Sequence, residues 1–358
     1  MMNLFKKKTP EPRESAPQLT LWQRRALELA APSSGGHPHS TYDEMERDAM
    51  VQTALNVKRL AVISTDWRIE PSSDTSLARR AADFAADCFT RMDGTPLTIL
   101  QQAMDAFAHG WSVQELVYER SGDHLRLKAA RSKDPSMFGL KMDAFGRLQN
   151  LILQMPGESE RALPPEKFVI YTNRGSLRSL KGRSDLDAAY RHWRAKHNLL
   201  SAWQLHLERF AMPTVMGRYE RGLAPDEQSA ILTALRDLQN STAIVFPEEI
   251  QISTLGGEKE PTQGFQESIE FHNREIARAI LGQTLTTDEG RRVGSLALGK
   301  VHLQVMMLQI NALRRALADS VLTEQVLRPL TRLNFGDVEP PRFILEETPL
   351  EAFAQGSM

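Results

Sequence analysis

A single cysteine, Cys88, occurs in 358 residues. That excludes a disulfide framework or a cysteine-built metal site within one copy. Cys88 itself reads as a small buried hydrophobe on an amphipathic helix. Neither sign of charge dominates: 44 Lys plus Arg stand against 45 Asp plus Glu, a formal net charge of -1. Proteins that grip nucleic acid tightly without sequence preference carry a basic surplus. Firm binding of that kind is therefore not expected, but sliding contact is compatible with this balance. No run of about 18 apolar residues is present, so no membrane span is expected. Lys6-Lys7-Lys8 leads into Thr9-Pro10-Glu11-Pro12 rather than an apolar segment, so a signal peptide is not expected and a reducing cytoplasm is.

Local catalytic motifs are missing too. Leu298-Gly299-Lys300-Val301 lacks both the upstream glycine spacing and the hydroxyl of a phosphate-binding loop. Neither a zinc-protease helix motif nor a nucleophile elbow occurs. His37 and His39 lie in a Gly/Pro loop without neighbouring ligands, and His192 and His197 are on different faces of one helix. No metal or cofactor is expected. Carboxylates are plentiful but unclustered, and solvated faces explain nearly all of them. Trp193 and Trp203, at helical spacing, suit a core or subunit interface better than a base-stacking platform.

What is present is an α+β pattern. Residues 1–41 form a Pro-rich arm with one short helix from Leu19 to Leu29. A helix is predicted from Tyr42 to about Ile63, then a strand Asp66–Pro71 and an Ala-rich helix Leu77–Met92. A further helix begins near Pro96 and ends at His109-Gly110. Strands are predicted at Trp111–Tyr118, Leu125–Ala129, Leu148–Met155 and Lys167–Tyr171, mainly antiparallel. A long helix, Gly182–Phe210, carries Arg183, Arg191, Arg194 and Lys196 against Asp185 and Asp187. A compact insertion follows: a strand near Thr214–Tyr219, a helix Pro225–Gln239, and strands Thr242–Phe246 and Ile250–Leu255. The chain closes with a strand, Arg342–Leu345, and a polar tail.

Between insertion and tail, Phe265, Ile269, His272, Ile276 and Ile280 recur at three- and four-residue steps, the mark of an amphipathic helix. Periodicity then stops over Gly282–Gly294, a polar stretch bearing three glycines. It resumes at Ser295 with Val301, Val305, Leu308, Ala312, Leu317 and Val321, and no proline interrupts until Pro329.

In this order the chain resembles Mu-like phage portal proteins. The resemblance is carried by Ala54-Leu55-Asn56-Val57-Lys58-Arg59 with Val62, Trp67, Ile69 and Pro71, and by Gly110-Trp111-Ser112-Val113 with Glu115 and Tyr118-Glu119. Further matches are Glu208-Arg209-Phe210-Ala211-Met212-Pro213, Ile280-Leu281-Gly282-Gln283-Thr284-Leu285-Thr286-Thr287 and Leu333-Asn334-Phe335-Gly336. The resemblance implies a ring, usually a dodecamer, at a capsid vertex of the virion, made in the host bacterial cytoplasm. Double-stranded DNA would pass through it, and terminase, head–tail adaptor and major capsid protein would be partners.

It further implies an N-terminal arm (1–41), a wing (42–181), stem helices at 182–212 and 262–282, and a clip (213–261). A tunnel loop (283–294), a tunnel helix and crown base (295–335) and a C-terminal strand and tail (336–358) complete the layout. Mu-like members commonly continue further beyond this point, which implies a reduced crown. The DNA-facing residues would be Gln283, Thr284, Leu285, Thr286, Thr287, Asp288, Glu289, Arg291 and Arg292, whose charges offset one another. Arg191, Arg194 and Lys196 would face the channel or a neighbouring subunit. Two rivals stand beside this reading: another ring-forming head–tail connector, and a metal-dependent nucleic-acid enzyme built from scattered carboxylates.

Overall fold

The computed structural model describes residues 14–30, 37–176, 179–211, 214–218, 224–238, 251–255, 262–283 and 296–349. The chain divides into two compact units, one of residues 1–190 and 274–358, the other of residues 191–273.

The larger unit begins with α1 (Leu21–Ala30) and α2 (His39–Met45). The single helix expected from Tyr42 to Ile63 is two, because Asp48 caps a new helix, α3 (Ala49–Ile63), accepting from the Met50 and Val51 amides at 2.9 and 3.3 Å. β1 (Trp67–Glu70) and α4 (Ser76–Arg91) follow near their predicted places, while the single helix expected from Pro96 to His109 is two, α5 (Pro96–Ala103) and α6 (Ala106–His109). Buried Cys88 lies on α4.

β2 (Trp111–Ser121) pairs antiparallel with β3 (His124–Lys133) on one side and β7 (Phe168–Thr172) on the other. A second sheet joins β4 (Phe138–Met142), β5 (Leu148–Leu153) and β6 (Arg161–Leu163). β4 and β6 are short and were not predicted. Trp111, Val113, Met137, Phe138, Leu151, Leu153 and Phe168 form one buried cluster with these sheets. Burying each such side chain stabilises the fold by about 1.5–3 kcal/mol.

The C-terminal part of this unit contains α10 (Leu296–Leu317), a π-helical stretch Ala318–Leu327, α11 (Arg328–Phe335) and β10 (Arg342–Leu345). The helix predicted to stop near Arg328 instead runs through Pro329. Arg328 N–H donates to Thr323 O in the wider π register, and Pro329 falls in the opening turn of α11, where its missing N–H does no harm. β10 pairs antiparallel with β1, and Phe343 stacks on Trp67 at 5.2 Å.

The two outer strands of the β3-β2-β7 sheet are each met by an amide side chain. Gln325 accepts from Ile170 N–H at 2.7 Å and donates to Ile170 O at 3.1 Å. Asn334 does the same to Leu125, at 2.8 and 2.9 Å. Each amide stands in for a strand residue and satisfies groups an edge would leave open.

The first described stretch of the N-terminal arm, Glu14 to Leu19, lies against this sheet. Ala16 is buried; its N–H donates to Glu115 at 3.0 Å, while its carbonyl accepts from Lys133 at 2.5 Å. Lys167 pairs with the same fully buried Glu115 at 2.9 Å. Burial alone would raise the Glu115 carboxyl, but hydrogen bonds from Ser15, Ala16 and Lys167 outweigh it and hold it below the ordinary carboxylate range. A depressed folded pKa gives stability that is present above the unfolded carboxylate value and is lost as pH falls through the folded one. Acid unfolding should therefore release the arm, and Glu115→Gln should flatten that acid limb. Proteolysis of the arm followed from pH 7 to pH 3 reads this; an unchanged pH profile in the variant would contradict it.

The smaller unit contains most of α7 (Leu186–Ala211), β8 (Thr214–Arg218), α8 (Pro225–Leu238), β9 (Gln251–Leu255) and the first part of α9 (Thr262–Leu281). β8 and β9 form an antiparallel ribbon pairing Thr214 with Leu255 and Arg218 with Gln251. The strand predicted at Thr242–Phe246 lies outside the described residues. Within this unit α7 and α9 meet through side chains. Trp203 and Phe265 rings lie parallel 6.3 Å apart, and His192 Nδ1 is 3.1 Å from His272 Nδ1.

Candidate nucleic-acid interface

The α9–α10 connection and the basic start of α7 are the candidate contact surfaces, and both begin from well-defined anchors. α9 ends at Leu281, and Gly282, at φ +76°, donates its N–H to Arg278 O at 2.9 Å. This is the left-handed turn that stops a helix. A side chain at Gly282 would meet Gln309 at 3.4 Å, so the connection leaves α9 close against α10. Gln283 is half-buried and its amide lies 3.4 Å from Met306 Sδ. It belongs to the root of the loop. Thr284, Leu285, Thr286, Thr287, Asp288, Glu289, Arg291 and Arg292 lie outside the described residues. Below the root, Ile276, Ala277, Ile280 and Leu281 are buried. The polar face of α9 is largely self-paired: Gln263 donates to Glu267, Gln266 to Glu270, and Arg278 pairs with Glu275.

α7 was expected to begin at Gly182 but begins at Leu186. Gly182 sits at φ +72°, and a Cβ there would be 2.3 Å from Gly110 O and 2.5 Å from Asn173 O. Ser184 Oγ then accepts from Leu186 N–H at 2.9 Å and opens the helix. Asp185, fully buried, takes Lys58 at 2.6 Å, Arg174 at 3.1 Å and the Asn173 amide at 3.0 Å. Lys58 also lies over the Phe107 ring at 4.3 Å. Asp185 therefore does not offset the basic residues of α7: its charge is consumed locally in holding the helix start.

The basic trio is divided. Arg191 and Arg194 are exposed, with Arg191 Nε donating to His192 Nε2 at 3.0 Å. Lys196 is buried in its unit. Arg191 and Arg194 thus present positive charge to a partner from the first half of this helix. Among the described residues no helix is long and apolar enough to cross a membrane. On α10, Val301, Val305 and Leu308 form an exposed apolar stripe at four- and three-residue steps.

Comparison with known proteins places this architecture. A family model described as the portal protein of Mu bacteriophage matches residues 39–355. The portal protein of Escherichia phage Mu is 26% identical over 82% of this chain and 56% of its own length. A Mu-like prophage protein of Haemophilus influenzae is 26% identical over 88% of this chain and 61% of its own. The chain thus spans less than two thirds of the length of these curated relatives. In structure it is similar to a chain from the neck of an empty gene transfer agent particle, with TM-score 0.63 and 12% identity over 94% of this chain and 92% of that one. A chain from the neck of a native particle, computed with twelvefold symmetry, matches at TM-score 0.62 and 14% identity, covering 92% and 91%. The fold is therefore the α+β fold of these neck chains, and the chain belongs to the Mu bacteriophage portal protein family.

Proposed function

We propose that this protein is the portal of a phage or prophage particle: a ring at one capsid vertex, part of the virion, through which double-stranded DNA is packaged and ejected. The observation that carries this reading is the family match over residues 39–355, together with a fold shared with neck chains over nine tenths of the length. Twelvefold symmetry in one of those necks supports a dodecamer here. Terminase, a head–tail adaptor and the major capsid protein are the partners this role requires. The exposed Val301–Val305–Leu308 stripe supports oligomerisation, since an apolar face of this kind marks a docking surface.

In this assignment residues 42–181 are the wing, α7 and α9 the stem, the ribbon and α8 the clip, and residues 283–294 the tunnel loop. The role is a conduit and assembly platform without catalysis. A conduit needs weak, replaceable contacts, because each phosphate neutralised adds about 0.9 to the salt slope of binding. Gln283, the threonines and the opposed pairs Asp288/Glu289 and Arg291/Arg292 supply contacts of that kind. Arg191 and Arg194 are assigned to the channel or to an acidic face of the next subunit.

The test uses the wild-type chain beside a variant shortened between Thr284 and Arg292. Electron microscopy down the axis should show closed rings of equal subunit number for both. Particles assembled with the variant should package or retain far less DNA. A compact dimer with a solid centre would overturn the ring, and normally filled variant particles would overturn the loop assignment.

A further inference from the structure

A histidine and two carboxylates converge in the larger unit. Asp43 on α2, Glu46 just beyond its end and His109 at the end of α6 each offer one ligand atom, all within 4.8 Å of one another. His109 Nε2 is 3.5 Å from Asp43 Oδ1 and 3.7 Å from Glu46 Oε2. These separations exceed the usual 2.7–3.2 Å of an N–H···O hydrogen bond. They lie at and slightly beyond the edges of a coordination polyhedron, roughly 3.0–3.6 Å for ligands ~2.1 Å from a central ion, so an ion would draw the three groups together.

The remaining atoms of these groups are already held. Asp43 Oδ2 takes Arg24 at 3.3 Å, and Glu46 Oε1 takes Arg59 at 3.0 Å. Each carboxylate is thus fixed through one oxygen and turns the other toward His109. On the far side of the ring, His109 Nδ1 lies 3.2 Å from His39 Nδ1. With the proton of that contact on His109 Nδ1, the Nε2 lone pair is free for an ion, as outer-shell partners arrange for metal-ligating histidines.

Positive charge nearby is already committed: Arg24 bridges Asp43 and Asp134, and Arg59 bridges Glu46 and Asp105, beside a cleft of about 370 Å³ that Lys133 also lines.

We infer that Asp43, Glu46 and His109 form a site for one divalent first-row transition ion, with His39 positioning the imidazole. One imidazole and two carboxylates suit Zn2+ or Mn2+ better than Ca2+ or Mg2+, whose ligands are oxygen alone. Three protein ligands leave coordination positions for water. The ion would tie α2 to α6 beside the start of α7, where Tyr42 Oη already donates to Asp187 at 2.5 Å.

The full-length chain, stripped with chelator, is titrated with Zn2+ by calorimetry at pH 7 and melted with and without Zn2+. One ion per chain and a raised melting temperature are expected, with Mg2+ at the same concentration inert. His109→Ala should lose at least tenfold in affinity. Should that variant fail to fold, Asp43→Asn and Glu46→Gln provide the same reading, since either keeps the volume and removes a charged ligand. No saturable binding, or affinity unchanged in these variants, would overturn the site; the latter result would place the ion elsewhere, such as at His192 and His272.

Discussion

Gly182→Ala should prevent the chain from reaching its native fold, or leave it several kcal/mol less stable. Two independent costs fall on this residue. At φ +72° an L side chain is strained, by about 1 kcal/mol or more. The larger cost is contact: a Cβ would stand 2.3 Å from Gly110 O and 2.5 Å from Asn173 O. Both neighbours are backbone, so no side chain can swing aside. Gly110 O accepts from Asn173 N–H at 2.8 Å and Asn173 O from Arg183 N–H at 2.7 Å. Separating the strands of this junction would break those bonds and draw Asp185 away from Lys58 and Arg174. Leaving a buried charge unpaired costs about 3–5 kcal/mol. Insoluble or protease-sensitive protein is the expected outcome, against a control such as Gly122→Ala, where a Cβ meets nothing within 4 Å. A variant that melts with the wild type would mean the junction is looser than described.

Arg314→Ala should be nearly as damaging, by about 3–5 kcal/mol, because its guanidinium ties the last turn of α3 to the segment past β10. It is 2% exposed and donates to Val62 O at 3.1 Å and Ala61 O at 2.8 Å, two carbonyls of the last turn of α3. It also donates to Glu346 O at 3.0 Å and Thr348 Oγ1 at 2.9 Å, just past β10. Burial lowers the guanidinium pKa, but a group whose ordinary value is above 12 stays charged at neutral pH. Alanine would leave these acceptors without a donor and open a cavity. Lysine would restore charge but could not reach four acceptors in a planar fork. Urea melts should therefore place Arg314→Lys between wild type and Arg314→Ala. Equal midpoints for all three would show that water replaces the guanidinium.

Periodicity was enough to place most helices and the longer strands, since apolar spacing records which face is buried. Trp111–Tyr118 alternates clearly and Phe265–Ile280 steps helically, and both elements are found. Most of what was missed shares one cause: determinants that act across long sequence separations. β1 and β10 are 272 or more positions apart in every pair of their register, from Glu70↔Arg342 outward, and neither strand is long enough to announce its partner. The α2/α3 break at Asp48 carried a recognisable cap signal, but the apolar period on either side obscured it. Arg314, Gln325 and Asp185 read as ordinary polar helix residues because nothing local marks a buried polar group. The His109 cluster escaped for the same reason: its carboxylates precede it by more than sixty positions. Family identity was legible because it rests on an ordered series of short stretches. Several of them, among them Gly110 and Asn334, turn out to hold junctions together.

The paired amides at the sheet edges bear on how copies of this protein pack at high local density. A ring crowds many identical subunits around one axis, where an unpaired strand could recruit a neighbour's strand. Such main-chain pairing has no built-in stopping point and can grow into a fibre. With Gln325 lying along β7 and Asn334 along β3, neither edge is free at Ile170 or Leu125 to template that growth. In the ring proposed above, contacts between subunits would thereby be left to side-chain surfaces, whose shape fixes an angle and would let the circle close at a definite number.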